Sequence, residues 1–318
     1  MNQSKKITDG ALLTRIFIVL LLLQFFVPFL SMIVMFLLPV PFIMYAYKHD
    51  WKPSILVFIL ALILSALLMS VVSIPFTVLA GFGGIMIGTA MNRNLSAYES
   101  WARGTVGFVI GLLLFLIIGQ MVFQVHFVEE FNQMVQESFE MSSKTLEQFG
   151  LLDEATMDEL EVVEEQILAM QNLLPVWLVV TALILALVSQ WISYKIINRV
   201  DHQQFRFPPF HQLKFPILVF WIYFIAFFMV LIDMDQDGML FIAVQNIHML
   251  AGILLIIQGF SFIFYYSHHK HQSKTLPIMS IILAVIVAPL VLPLIRIIGI
   301  IDMASSLRKR IATGKPKS

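Results

Sequence analysis

The chain has 318 residues, of which 59% are hydrophobic and 13% charged, with 20 basic and 20 acidic side chains and a mean hydropathy of +0.88. So little polar surface cannot cover a water-soluble body, and the composition is that of an all-α, polytopic helical membrane protein. The absence of cysteine excludes disulfides and thiolate metal sites, and the zero net charge averages a segregated pattern that says nothing about partners.

A span needs about 20 apolar residues. Cutting the apolar stretches at prolines, glycines and charges predicts eight spans, at residues 11–27, 29–47, 53–69, 75–91, 104–123, 174–197, 215–232 and 239–266. The first follows Lys5 and Lys6 and has no small-x-small cleavage site behind it, so it is expected to be retained rather than removed as a signal peptide. The second contains Pro39 and Pro41 and is expected to be kinked or short.

Between the fifth and sixth spans, twelve acids and one lysine fall between Glu129 and Glu165. Phe127, Phe131, Met134 and Ser138 form one helical stripe and Leu160, Val163, Ile167 and Met170 another, with Gly150 between them and Asp153 placed to cap the second helix. The segment 126–172 is therefore expected to be an amphipathic helical hairpin, lying on the membrane surface or folded on itself. It divides the chain into a five-span bundle at 1–125, the hairpin, and a C-terminal span bundle at 173–318.

Basic residues accumulate in cytoplasmic loops. Lys5 and Lys6, Lys48 and Lys52, Arg93 and Arg103, Lys195 to Lys214, and Lys270 with Lys274 all fall on one side of the eight-span topology, and the acidic segment on the other. The N-terminus is thus expected in the cytoplasm and residues 126–172 outside. A ninth stretch, 276–301, would export the basic tail if it were a simple span, whereas a break at Pro289 and Pro293 would return the chain to the cytoplasm, giving eight or nine spans in all.

Several features have chemical readings. Ala80, Gly84 and Gly88, with Gly107 and Gly111 in the next span, are small residues at helical spacing that permit close helix contact, either inside this chain or with a docked partner. Asp233, Asp235 and Asp237 ahead of Gly238 match the first half of a calcium loop, but the twelfth position is Val244, so any metal site there is weak. Asn246 and Gln258 are polar residues within the eighth span, beside His248. Such residues are costly in lipid and are candidate ligand contacts lining an outward vestibule, or else partners in interhelical hydrogen bonds worth about 1 kcal/mol each. Arg15 and Arg296 are expected to snorkel toward an interface.

Other chemistries are disfavoured. Thr313-Gly-Lys315 is not a Walker A loop, and neither a His-Glu-x-x-His helix nor a Gly-x-Ser-x-Gly elbow occurs. His268, His269 and His271 beside Lys270 fit a basic turn at anionic headgroups better than a metal site. No soluble basic patch suggests nucleic acid, no cofactor is implied, and no nucleophile, base and orienting group stand together as in an enzyme.

The stretches Thr8-Asp-Gly-Ala-Leu-Leu, Leu38-Pro-Val-Pro-Phe ahead of Lys48, the Gly84/Gly88 helix, Asn246, Gln258-Gly-Phe-Ser and Gly299-Ile-Ile-Asp302 ahead of Arg308 together resemble the YybS-like family of bacterial membrane proteins. In its first part that family is similar to the substrate-capture subunits of energy-coupling-factor transporters. The resemblance implies a protein of the bacterial plasma membrane that binds or transports an unknown small molecule without its own ATPase and relies on a separate energy-coupling module. The alternative is a non-transporting scaffold or sensor that uses the acidic hairpin.

Overall fold

The computed structural model describes residues 3–151, 153–232, 235, 238–269, 275–305 and 307–313. Among them there is no strand, and the fold is all-α and polytopic. Seven helical stretches are long and apolar enough to cross a membrane: Gln3–Phe26, Pro28–His49, Trp51–Met69, Val71–Asn92, Ala97–Phe123, Ala155–Val200 and Met239–His269. Large side chains such as Leu56, Ile63, Leu67, Phe228 and Val285 are exposed on these and neighbouring helices, which makes sense only against lipid.

The chain divides into two units, 1–207 and 208–318. The first contains α1 (Gln3–Phe26), α2 (Ser31–Leu37), α3 (Val40–His49), α4 (Trp51–Met69), α5 (Ile74–Asn92), α6 (Ala97–Phe123), α7 (Phe127–Gln148), α8 (Glu154–Ala169) and α9 (Leu174–Val200). The prolines act as expected in the second span, where the helix stops at Leu37 and restarts with Pro39 and Pro41 at its N-terminus. Asp50, at φ 62°, and Ser70, at φ 68°, turn the chain into and out of α4. Ser96 and Glu99 form a capping box that starts α6, and Gln124 in the left-handed region ends it.

Helix α5 is the centre of this unit. A Cβ on Gly84 would lie 2.7 Å from the Pro39 carbonyl and one on Gly88 would lie within 2.4 Å of the Ile43 carbonyl. The small residues of α5 therefore bring its backbone against α3, while Gly107 and Gly111 of α6 close on Phe82, Met86 and Leu79. Of the two readings of these stripes, packing within the chain is the one realised. Gly10 of α1 is likewise covered, by Val57 and Tyr45.

Helix α9 belongs to this unit rather than to a C-terminal bundle. Ser189 donates to the Phe36 carbonyl (2.9 Å), Gln190 to the Ala97 carbonyl (2.9 Å), and the Trp101 indole to the Leu183 carbonyl (2.9 Å). The acidic segment forms the expected pair of helices, with Gly150 at φ 66° and the Asp153 carboxylate accepting from Thr156 N. Its packing stripe differs from the expected one. On α7 the covered positions are Asn132, Val135, Phe139, Ser143 and Leu146, while Met134 is exposed; on α8 Leu160 and Ile167 are partly covered, while Val163 and Met170 are exposed. The two helices pack on each other, and α8 passes through a 3-10 turn, Met170–Leu173, straight into α9.

The second unit holds α10 (Leu218–Val230), α11 (Met239–His269), α12 (Thr275–Ile286), α13 (Ala288–Ala304) and α14 (Leu307–Thr313). The predicted seventh span is thus only a 13-residue helix, and the ninth stretch is split. The break falls at Val287, with Pro289 opening α13 and Pro293 inside it. Gly252 meets Arg296, Leu255 meets Gly299, Gln258 meets Asp302 and Tyr265 meets Arg308, each pair 44 or 43 residues apart. A constant offset means that α13 runs parallel to α11. It brings Arg308 back to the end of the unit where α11 finishes, as the proline-broken alternative requires. Gly299 and Gly259 permit this contact, since Cβ atoms there would collide with the Leu255 and Ile295 carbonyls.

Candidate functional site

Lys48 and His49 end α3, and because consecutive helical residues point about 100° apart they serve different neighbours. His49 turns toward α1, where its Nε2 lies 2.9 Å from Asp9 Oδ2, and its ring packs on Tyr45 at 4.7 Å. Lys48 turns toward α9, with Nζ 2.9 Å from Asp201 Oδ1. Beside these two contacts lies a groove of about 440 Å³ bounded by α1, α3 and α9. Leu12, Leu13 and Ile16 line one wall, Val40, Pro41 and Met44 the floor, and Ile196 and Val200 the other wall.

The volume is in the range of small-molecule sites, which combine apolar walls with a few placed polar groups. The polar groups here are Asp9 and Lys48, both at one end. His49 is buried, with Nδ1 lacking a partner. Asp9 with its neighbours and Val40-Pro41 belong to stretches quoted above for the family resemblance, although sequence reasoning did not single them out as a site. The signal was present as a carboxylate on the first turns of an apolar helix.

The predicted ligand residues lie elsewhere and apart from each other. Gln258 is fully buried, with its carbonyl accepting from Phe215 N (3.0 Å) and its amide donating to Asp302. Both ends of its side chain are thus engaged inside the second unit rather than facing a vestibule. Asn246 is also buried, and its amide donates to the Ile242 carbonyl at 2.7 Å. Asp233 and Asp237 lie outside the described residues. The Asp235 carbonyl accepts from Gly238 N, and Val244, at the twelfth position of the would-be calcium loop, is buried in α11.

What sequence reasoning missed is the network that Gln258 joins. Asp302, 1% exposed, receives Arg308 Nε at 2.9 Å and Nη2 at 2.8 Å. Arg308 also donates to the His211 carbonyl (3.0 Å) and to Ser261 Oγ (3.1 Å), whose hydroxyl reaches the Leu213 and Phe210 carbonyls. This ties the 208–217 segment, α11 and the end of α13 together. Beside it the His211 and His268 rings stack at 4.4 Å. Burial, followed by the charges of His268, His269 and Arg308, lowers the His211 pKa below its usual value. Arg296 does not snorkel outward as expected. Its Nη1 reaches the Tyr223 hydroxyl at 3.5 Å, inside the unit.

Residues 15–303 match the family model described as "Predicted membrane protein (DUF2232)". The chain belongs to that family. It is also 26% identical over 322 residues to the uncharacterized protein YybS of Bacillus subtilis (strain 168), covering 98% of this chain and all of that relative. No solved structure matches. The YybS-like resemblance and the multi-pass membrane assignment follow from these findings together with the helices above.

Proposed function

We propose that this protein is a membrane-embedded binding component for an amphipathic small molecule, with the α1/α3/α9 groove as its site and no energy source of its own. The observation that carries this reading is the groove itself, about 440 Å³ with apolar walls and with Asp9 and Lys48 at one end. A ligand with an apolar body and a polar end matches such a surface, and it would enter sideways from the bilayer. Transport would then require a separate energy-coupling module, a partner suggested by the resemblance to capture subunits. No catalytic step is part of the proposal, and its setting is the bacterial plasma membrane with the N-terminus inside.

Thermal stabilisation of the purified protein across a library of vitamins and other amphiphiles tests it, because a ligand that binds only the folded state raises the melting temperature. A hit should disappear in Met44→Trp, which fills the groove. If no compound shifts the wild-type protein and none co-purifies, the reading fails.

A second reading is favoured by one feature. The helical run Ala155–Val200 links the acidic hairpin to the groove wall and ends next to Asp201, the partner of Lys48. A sensor that couples an external partner or cation to this groove would use that connection. Deleting residues 129–165 should then abolish partner capture in pull-downs, while a simple binding component would keep its ligand response.

A further inference from the structure

Helix α11 is 31 residues long, about 46 Å at 1.5 Å per residue, against a hydrocarbon layer of about 30 Å. Gly252 lies about 20 Å from its start, so it falls inside the hydrocarbon wherever along α11 that layer sits. A Cβ there would approach Arg296 Cζ to 3.3 Å, so the missing side chain leaves a notch that the guanidinium fills. An arginine is therefore held at a depth where an uncompensated charge is expensive.

Among the described residues its compensation is partial, from the Tyr223 ring whose centroid lies 5.9 Å from Arg296 Cζ. No carboxylate of the described residues lies within 4.0 Å of Arg296, and Asp302 on the same helix is occupied by Arg308 and Gln258. Its polar contact is the long one to Tyr223, and its buried Nε has no partner. His248 stacks on the same Tyr223 ring at 4.7 Å, and its buried Nδ1 also lacks a partner. Two nitrogen-bearing side chains from α11 and α13 thus meet a phenol from α10, with the Tyr223 backbone carbonyl facing the His248 ring and no carboxylate of the described residues beside them.

We infer that Arg296, His248 and Tyr223 form an intramembrane site for an oxyanion, the carboxylate or phosphate group of a water-borne small molecule. A guanidinium presents a planar fork of donors that matches two oxygens of such a group, and the Tyr223 hydroxyl would supply a further donor, with His248 stacked on the phenol to position it. The site is in the second unit and does not depend on the groove formed by α1, α3 and α9.

The test uses the full-length protein in detergent, with acetate or inorganic phosphate titrated into sodium chloride at matched ionic strength. One of the two anions should raise the melting temperature by about 3 °C or more, which also tells carboxylate from phosphate. Arg296→Gln should abolish the shift, Arg296→Lys should weaken it by removing the fork, and Lys195→Gln, far along the chain on α9, should leave it intact. Without anion, Arg296→Gln should melt no lower than wild type, since it removes a charge that has no carboxylate partner among the described residues. The proposal is overturned if neither anion shifts the wild type, if Arg296→Gln responds like the wild type, or if Arg296→Gln lowers the anion-free melting temperature, which would make the arginine structural.

Discussion

Asp302 and Arg308 meet as a two-armed ion pair, Nε to Oδ1 at 2.9 Å and Nη2 to Oδ2 at 2.8 Å, with the carboxylate shut off from solvent. The pair works as a clasp, because Arg308 reaches three groups on three segments while Asp302 also accepts from Gln258.

Removing one partner of a buried pair strands the other. Asp302→Ala is expected to destabilise the second unit by about 3 kcal/mol or more, and the double change Asp302→Ala with Arg308→Met by less than the single change. Thermal melts of the three variants check this. A single-variant cost below about 0.5 kcal/mol would show that the pair contributes no more than a surface one.

Gly88 sets the spacing of α3 and α5. Gly88→Ala places a methyl group against the Ile43 carbonyl and should cost about 1–3 kcal/mol through separation of the two helices. Gly107→Ala, which meets the Phe82 carbonyl at 2.7 Å, should behave similarly. Leu56→Ala, on the exposed face of α4, should have no such effect.

The lowered pKa of His211 has a defined consequence for stability. The folded state resists protonating this ring, so as pH falls through the unfolded value of about 6.5 the unfolded chain takes up the proton first and the fold loses stability. Above that pH the penalty is absent. His211→Asn should therefore flatten the decline in melting temperature between neutral and mildly acid pH. An unchanged slope would remove His211 from the account.

The topology can be read chemically, since the chain has no cysteine. Ser142→Cys, on an exposed turn of α7, should react with a membrane-impermeant maleimide in intact cells, whereas Lys5→Cys should react only after permeabilisation. The reverse pattern would invert the proposed orientation.

The span-length helices, the paired acidic helices and the Pro289 break were all legible, because each has a local physical cause: enough apolar length to span lipid, helical periodicity in water, and a ring without an N–H. The packing stripe of α7 was displaced because several apolar residues on that helix compete for the covered face, and contact with α8 selects Val135 and Phe139 over Met134.

Sequence by itself determined that this is a multi-pass helical membrane protein with a polar hairpin and close-packing glycines, since those properties depend only on composition and short-range spacing. Tertiary structure decided that α9 joins the first unit, that α13 runs parallel to α11, and that Asp9, Lys48 and Met44 share a groove while Gln258 is sealed against Asp302. The reason lies in the solvent: in a bilayer the faces turned to lipid and to protein are both apolar, so hydrophobic pattern cannot say which face packs on which helix.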